Sequence, residues 1–149
     1  MIISMAEKPL KVMFLCTGNS CRSQMAEGLA RELCKGRVEV HSAGLMAAGV
    51  HPRAVSVMWE LGIDLSAHKS KEIDEGLLRR MDVVITLCDN AYEACPQTPR
   101  EVKRLHWPIK DPVGFRGTEA ETMNDFRRAR DEIKEKIRGF LQTDPLGKT

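Results

Sequence analysis

Two short apolar runs constrain this chain most: VMFLC at 12–16 and DVVITLC at 82–88. A run of this kind, with no polar alternation, suits a strand covered on both faces, as in a parallel sheet flanked by helices. The intervening stretches agree. From Ser23 the apolar residues Met25, Ala26, Leu29, Ala30 and Leu33 keep helical spacing. VEVHSAG (Val38–Gly44) reads as a second strand with a turn. Ala54, Val55, Val57, Met58 and Leu61 mark a second helix, entered at Pro52 and closed by Gly62. KEIDEGLLRR predicts a short helix over 71–80, and VKRLHW a weaker fourth strand over 102–107. Met123, Phe126, Ile133, Ile137 and Phe140 form one stripe of a last helix. The alternation predicts an α/β fold: three layers, α/β/α, around a four-stranded, mostly parallel sheet. The strand order expected for it is the flavodoxin-like 2-1-3-4.

The 149 residues fit a single core, and no repeat, low-complexity segment or linker divides them. One domain over 1–149 is expected, with loose tails at 1–10 and 145–149 and Met5 as an alternative start. A net charge of +2 gives no bulk electrostatic argument for nucleic acid or a membrane surface. No apolar run reaches the roughly 18 residues of a membrane span, and the N-terminus shows no signal peptide. Five cysteines, an odd number without an export signal, favour reduced thiols in the cytoplasm over a disulfide framework.

Open parallel sheets build sites at the C-terminal ends of their strands, beside the switch point in strand order. Cys16 ends the first strand, Cys88 the third, and Asp111 follows the fourth. In the order 2-1-3-4 the first and third strands are neighbours, so Cys16 and Cys88 are expected at one sheet edge.

The loop CTGNSCRS (16–23) joins that first strand to the first helix. Such a loop aims backbone N–H groups inward, and the helix dipole adds positive potential. Thr17, Gly18, Asn19, Ser20, Cys21 and Arg22 thus form a cradle for a tetrahedral oxyanion, with the planar Arg22 fork gripping two oxygens. The same field is expected to favour the Cys16 thiolate, to which Ser23 could donate a hydrogen bond. Gly18 would supply a left-handed turn, and the Asn19 amide could brace the loop. No Walker-type phosphate loop is present, and Cys16 and Cys21 lack the C-x2-C spacing of zinc ligands. No metal ligand set is expected.

KDPVG (110–114) sets Asp111 before Pro112, whose ring restricts Asp111 to extended backbone and helps aim the carboxyl. Near the cradle it could act as a general acid; alone it is an ordinary turn. LCDNAYEACP holds Cys88 and Cys95 seven positions apart. If the residues between are helical, the two Cα atoms lie roughly 10 Å apart along the axis, against about 4.4–6.8 Å for a disulfide. Bonding them would require the segment to unwind. A redox relay with a conformational change, or one buried and one surface cysteine, both fit. Cys34 is read as packing on its helix.

CTGNSCRSQMAEG, SAG, VITLCDNAYEACP, HWPIKDPVG and the FRRARDEI helix together resemble the thioredoxin-coupled arsenate reductases, which share the fold of the low-molecular-weight protein tyrosine phosphatases. The resemblance spans roughly residues 11–141, and the Cys88/Cys95 pair marks the reductase branch. It implies that Cys16 attacks arsenate while Asp111 assists the leaving hydroxide. Cys88 then attacks Cys16, releasing arsenite and forming a Cys16–Cys88 disulfide. Cys95 attacks Cys88, and thioredoxin reduces the resulting disulfide; glutaredoxin or a low-molecular-weight thiol are other candidate reductants. The implied enzyme is a cytoplasmic monomer serving arsenic detoxification, with no tightly bound cofactor. It would accept arsenate, phosphate and sulfate, with weak phosphatase side activity. Some relatives bind potassium near the loop. Glu27 and Ser42 match that site, but Lys69 and Lys71 stand where those relatives have oxygen ligands, so no potassium dependence is expected. The alternative is a low-molecular-weight tyrosine phosphatase hydrolysing phosphomonoesters through a phosphocysteine at Cys16. Against it, DPVGF delays the aromatic after the Asp-Pro to Phe115. A non-catalytic oxyanion or redox sensor is a third reading.

Overall fold

The computed structural model describes residues 8–143. Nine elements follow in the order β1 (Leu10–Cys16), α1 (Arg22–Cys34), β2 (Val38–Gly44), α2 (Pro52–Trp59), α3 (Glu75–Arg79), β3 (Val83–Thr86), α4 (Asp89–Ala94), β4 (Lys103–His106) and α5 (Glu119–Leu141). The strands form one parallel sheet in the order β2-β1-β3-β4, the order expected.

Strand alternation divides the core between the two sheet faces. Val12 and Phe14 of β1, with Val83 and Ile85 of β3, face α1, α2 and α5. Met13, Leu15 and Val84 face the smaller side, where Leu78 of α3 and Ala91 of α4 cover them. The central strands β1 and β3 are thus buried on both sides, and this explains their unbroken apolar sequences. Burying each large side chain contributes roughly 1.5–3 kcal/mol. Phe126, Ala129, Ile133, Ile137 and Phe140 supply the buried stripe of α5. That helix opens with a capping box, in which Thr118 and Glu121 bond each other's backbone N–H.

Several boundaries differ from the sequence reading. Leu10 is not part of a loose tail: it pairs with Val38, and its N–H donates to the Arg37 carbonyl. Residues 1–7, Met5 among them, and the tail at 145–149 lie outside the described residues. The first helix begins at Arg22, one residue before Ser23. The short helix predicted over 71–80 contracts to Glu75–Arg79, because Lys71, Glu72 and Ile73 instead add to the edge of β2 at Gly44. Cys88 does not end β3. The strand stops at Thr86, and Cys88 is the N-cap of α4. Helix α2 enters at Pro52, and Gly62 closes its end with φ +77°. No helix among the described residues is long and apolar enough to cross a membrane.

Candidate active site

The loop after β1 lies at the C-terminal edge of the sheet, and the segment after β2 holds it from outside. The N–H groups of Leu45, Met46, Ala48 and His51 donate to the carbonyls of Cys16, Thr17, Gly18 and Ser20 at 3.3, 3.0, 2.9 and 2.9 Å. The described peptides are all trans, so the amide after each of these carbonyls points the opposite way. The N–H groups of Thr17, Gly18, Asn19 and Cys21 therefore turn toward the inside of the loop, where Cys16 sits. Helix α1 follows with no side-chain cap and no acidic residue of its own in its first turn, so its positive end faces the same space. This is an oxyanion cradle made mostly of backbone.

The left-handed residue in the loop is Asn19, with φ 47°, not Gly18 as the sequence suggests. Asn19 is fully buried, and its side-chain bonds hold that conformation. Its Nδ2 donates to Ser23 Oγ at 2.8 Å and Ser42 Oγ at 3.0 Å. Its Oδ1 accepts from Gln24 Nε2 at 3.0 Å and the Lys71 backbone N–H at 2.8 Å. Gly18 has a different role: a Cβ there would meet the Ala48 Cβ at 3.0 Å.

These bonds assign a direction to the network. The Glu27 carboxylate only accepts, so Ser42 donates its proton to Glu27 and receives from Asn19. Ser23 likewise receives from Asn19, which leaves its own proton for Cys16 Sγ, 2.8 Å away. Burial alone would raise the Glu27 pKa. Hydrogen bonds from Ser42 and Arg31 and the charge of Lys71 outweigh it and hold the carboxyl below its ordinary range.

Arg22 is buried at the base of the cradle, donating to the Ile109 carbonyl at 2.9 Å and lying 3.4 Å from Asp111 Oδ2. Asp111 Oδ1 accepts from the Val113 N–H at 3.0 Å, which fixes the carboxyl beside the cleft. Thr17, Gly18, Ser20, Cys21 and Arg22 line this cleft of about 250 Å³ with Cys16 and Asp111, and Met46, Ala48, His51 and Val113 complete its wall. None of the lining residues is Phe, Tyr or Trp. Cys21 joins the cradle through its backbone alone. Burial, then the charges of Asp111 and Cys16, push its thiol far above the ordinary range, so it stays protonated and packs in the core.

Cys88 reaches the cradle from the neighbouring strand. Leu15 pairs with Thr86, and the Leu87 N–H donates to the Leu15 carbonyl at 2.9 Å, carrying Cys88 just past the strand end. Its Sγ lies 3.3 Å from Thr17 Oγ1 and accepts from the Ala91 N–H at 3.4 Å. Cys16 and Cys88 share one buried cluster, with Cys95 packed against it. Cys95 caps the other end of α4, where burial pushes its thiol up against the opposing charge of Arg104. All five cysteines are free thiols. Cys34 is buried at the end of α1, as expected.

Two supports escaped the sequence reading. Gly44 lies under the loop, and a Cβ there would fall 2.6 Å from the Asn19 N, 2.7 Å from the Met46 O and 2.8 Å from the Thr17 O. The SAG motif containing it was visible, but the backbone pressed against it was not. Gln24, also fully buried, bridges Asn19, the Lys69 carbonyl and His68. Its position in the first turn of α1 was its one signal. At the position matched to a potassium site, Lys71 Nζ donates to the Lys69 carbonyl at 2.9 Å and lies 3.9 Å from Glu27 Oε1. An ammonium beside both oxygens fits a monovalent cation poorly. Among the described residues no group of three or more His, Cys, Asp and Glu side chains could hold a metal ion.

A strand, an inward-facing N–H loop and a helix start, with a thiol at one end and an arginine at the other, agree with sequence similarity over most of the chain. Residues 11–148 match the family described as low molecular weight phosphotyrosine protein phosphatase. The chain belongs to that family. Within it, an arsenate reductase of Bacillus licheniformis is 51% identical over 132 residues, covering 89% of this chain and 95% of the relative. A solved arsenate reductase in the phosphate binding state is 37% identical, with a TM-score of 0.73 over 89% of this chain and 97% of its own. A thioredoxin-dependent arsenate reductase of Corynebacterium glutamicum is 26% identical, with a TM-score of 0.76 over 96% of this chain and 65% of its own. The phosphatase fold is therefore common ground for this chain and its reductase relatives.

Proposed function

We propose that this protein reduces arsenate to arsenite through Cys16, Cys88 and Cys95. The observation that carries the reading is Cys88, a second buried thiol in contact with Thr17 of the oxyanion loop, with Cys95 at the far end of the same short helix. A hydrolase needs neither thiol. Arsenate enters the cradle, held by inward N–H groups and Arg22. The Cys16 thiolate attacks arsenic, and a hydroxide leaves as water with a proton from Asp111, giving a Cys16–S–As(V) adduct. The Cys88 thiolate attacks Cys16 Sγ. The S–As bond breaks with its electron pair going to arsenic, so As(V) becomes As(III), arsenite departs and a Cys16–Cys88 disulfide remains. Cys95 attacks Cys88 and expels the Cys16 thiolate. An external dithiol then reduces Cys88–Cys95. The Corynebacterium glutamicum relative supports thioredoxin in that last role.

The alternative, phosphomonoester hydrolysis through a phosphocysteine at Cys16, draws on the family itself. It is disfavoured by a cleft whose lining includes no Phe, Tyr or Trp to pack a phenyl ring. Weak phosphatase activity belongs to the proposal, because phosphate and arsenate are alike in shape and charge. So do action as a cytoplasmic monomer and independence of potassium.

A coupled assay with thioredoxin, thioredoxin reductase, NADPH and arsenate tests the reading. NADPH consumption should require arsenate, vanish in Cys88→Ser and Cys95→Ser, and stay equal when potassium replaces sodium. Turnover of an aryl phosphate that survives both substitutions, with no arsenate-dependent NADPH loss, overturns it in favour of the phosphatase.

A further inference from the structure

Helix α4 separates Cys88 from Cys95, yet little in its own composition holds it wound. It has six residues, far below the roughly 12–15 at which an isolated helix becomes even marginally stable. Ala91 is its one buried residue, a small anchor. A side chain from another element supplies further hold. His106, the last residue of β4, reaches across to this corner. Its Nδ1 lies 2.7 Å from the hydroxyl of Thr86, the last residue of β3. Its Nε2 lies 3.0 Å from Asp89 Oδ1, on the first residue of α4. The carboxylate can only accept, so Nε2 carries the proton, a tautomer assigned from the network. The ring also packs against Tyr92, with centroids 4.5 Å apart and planes inclined at 33°. Asp89 and Tyr92 are three residues apart and share a helix face. Cys88 lies in the chain between Thr86 and Asp89, so His106 grips both sides of it.

We infer that His106 is a positioning residue: it clasps α4 in the wound, dithiol form and thereby sets the redox poise of the Cys88/Cys95 pair. This rests on the relay proposed above. Seven residues of helical rise hold the two Cα atoms about 10 Å apart, whereas a disulfide needs about 4.4–6.8 Å. The helix must therefore unwind when Cys88 and Cys95 bond, and Asp89 and Tyr92 cannot both keep their places on His106. The clasp stabilises the dithiol and not the disulfide. Its effect is to make the disulfide easier for an external dithiol to reduce, which favours the last step of each cycle. It also keeps Cys88 facing Thr17 until the Cys16 adduct has formed.

The full-length Cys16→Ser protein isolates the pair. It is equilibrated with mixtures of reduced and oxidised dithiothreitol: two thiols surrender two electrons and two protons, and the buffer disulfide takes them up. The disulfide is quantified by thiol trapping and located by peptide mass mapping. His106→Ala in this background should shift the equilibrium toward the Cys88–Cys95 disulfide by about three- to tenfold, on the order of 15–30 mV more negative. His106→Phe keeps a ring against Tyr92 but neither hydrogen bond. It should shift in the same direction by less, and it decides the matter alone if the alanine variant does not fold. An unchanged equilibrium, or a shift toward the dithiol, overturns the inference while leaving the relay standing. Failure of the Cys16→Ser protein to form any Cys88–Cys95 disulfide overturns the relay itself, and the clasp with it.

Discussion

The two halves of the site are built to different mechanical standards. Around Cys16, the buried side chains of Asn19, Ser23, Gln24, Glu27 and Ser42 bond one another, and no described buried side-chain nitrogen or oxygen lacks a partner. Around Cys95, the chain hangs on a six-residue helix with one buried alanine, a hydrogen bond from His106 to Asp89 and an Arg104 hydrogen bond to the Pro96 carbonyl. A loop that must present N–H groups to an anion gains from having a single conformation, because its donors then need no reorganisation during the reaction. In the proposed relay, a segment that carries a thiol from one partner to the next gains from a shallow minimum. The same sheet carries both, with the polar network on one side of β1 and the short helix beside β3.

The largest effect expected from probing this contrast is at Asn19. Asn19→Ala removes four hydrogen bonds and leaves a Cβ residue in left-handed backbone without its restraints. It should cost about 3 kcal/mol of stability in denaturant unfolding and reduce arsenate-dependent kcat/KM by at least about 100-fold. A stability loss under about 1 kcal/mol would show that the loop does not depend on this residue. A smaller effect is expected at Glu27. Its folded pKa lies below the ordinary 4.5 because Ser42, Arg31 and Lys71 outweigh burial. The unfolded state therefore binds the proton more readily. The stabilisation is complete above about pH 4.5 and fades as pH falls through the lower folded value. Urea midpoints measured across this acid range should fall for the natural protein and remain flatter for Glu27→Gln; parallel curves would remove Glu27 from the network. The smallest effect belongs to the exposed face of α4. Glu93→Ala should alter stability by no more than about 0.5 kcal/mol and coupled turnover by less than about twofold. A larger loss would mean that α4 is held as firmly as the loop.

Much of this arrangement is legible in the sequence alone. Unbroken apolar runs mark β1 and β3 because both faces of a central parallel strand are covered, and the burial of Val12 to Leu15 and Val83 to Ile85 agrees. Cys16, Arg22 and Ser23 were legible because a strand–loop–helix junction has a known electrostatic direction. Asp111 was readable as a candidate acid only in partnership with that loop. The unread features depend on contacts between distant segments. Gly18 looked like the turn residue because glycine tolerates positive φ, but Asn19 takes that conformation because Ser23, Ser42, Gln24 and Lys71 bond its side chain. Cys88 looked like a strand end because the mostly apolar DVVITLC runs up to it without a break. It caps α4 because its sulfur accepts the Ala91 N–H. Leu10 looked like tail because its partner Val38 lies on another strand.

Local order along the chain determined the class of fold and the presence of a thiol and an arginine at the two ends of a strand–loop–helix junction. These follow from periodicity, from backbone geometry and from the dipole of a helix, all short-range properties. Tertiary structure alone decided which way each hydrogen bond runs from Glu27 to Cys16, why position 44 must be glycine, and that His106 meets both Thr86 and Asp89. Those facts are distances between residues far apart in the chain, and they exist only once burial of the shared core has brought the strands into register.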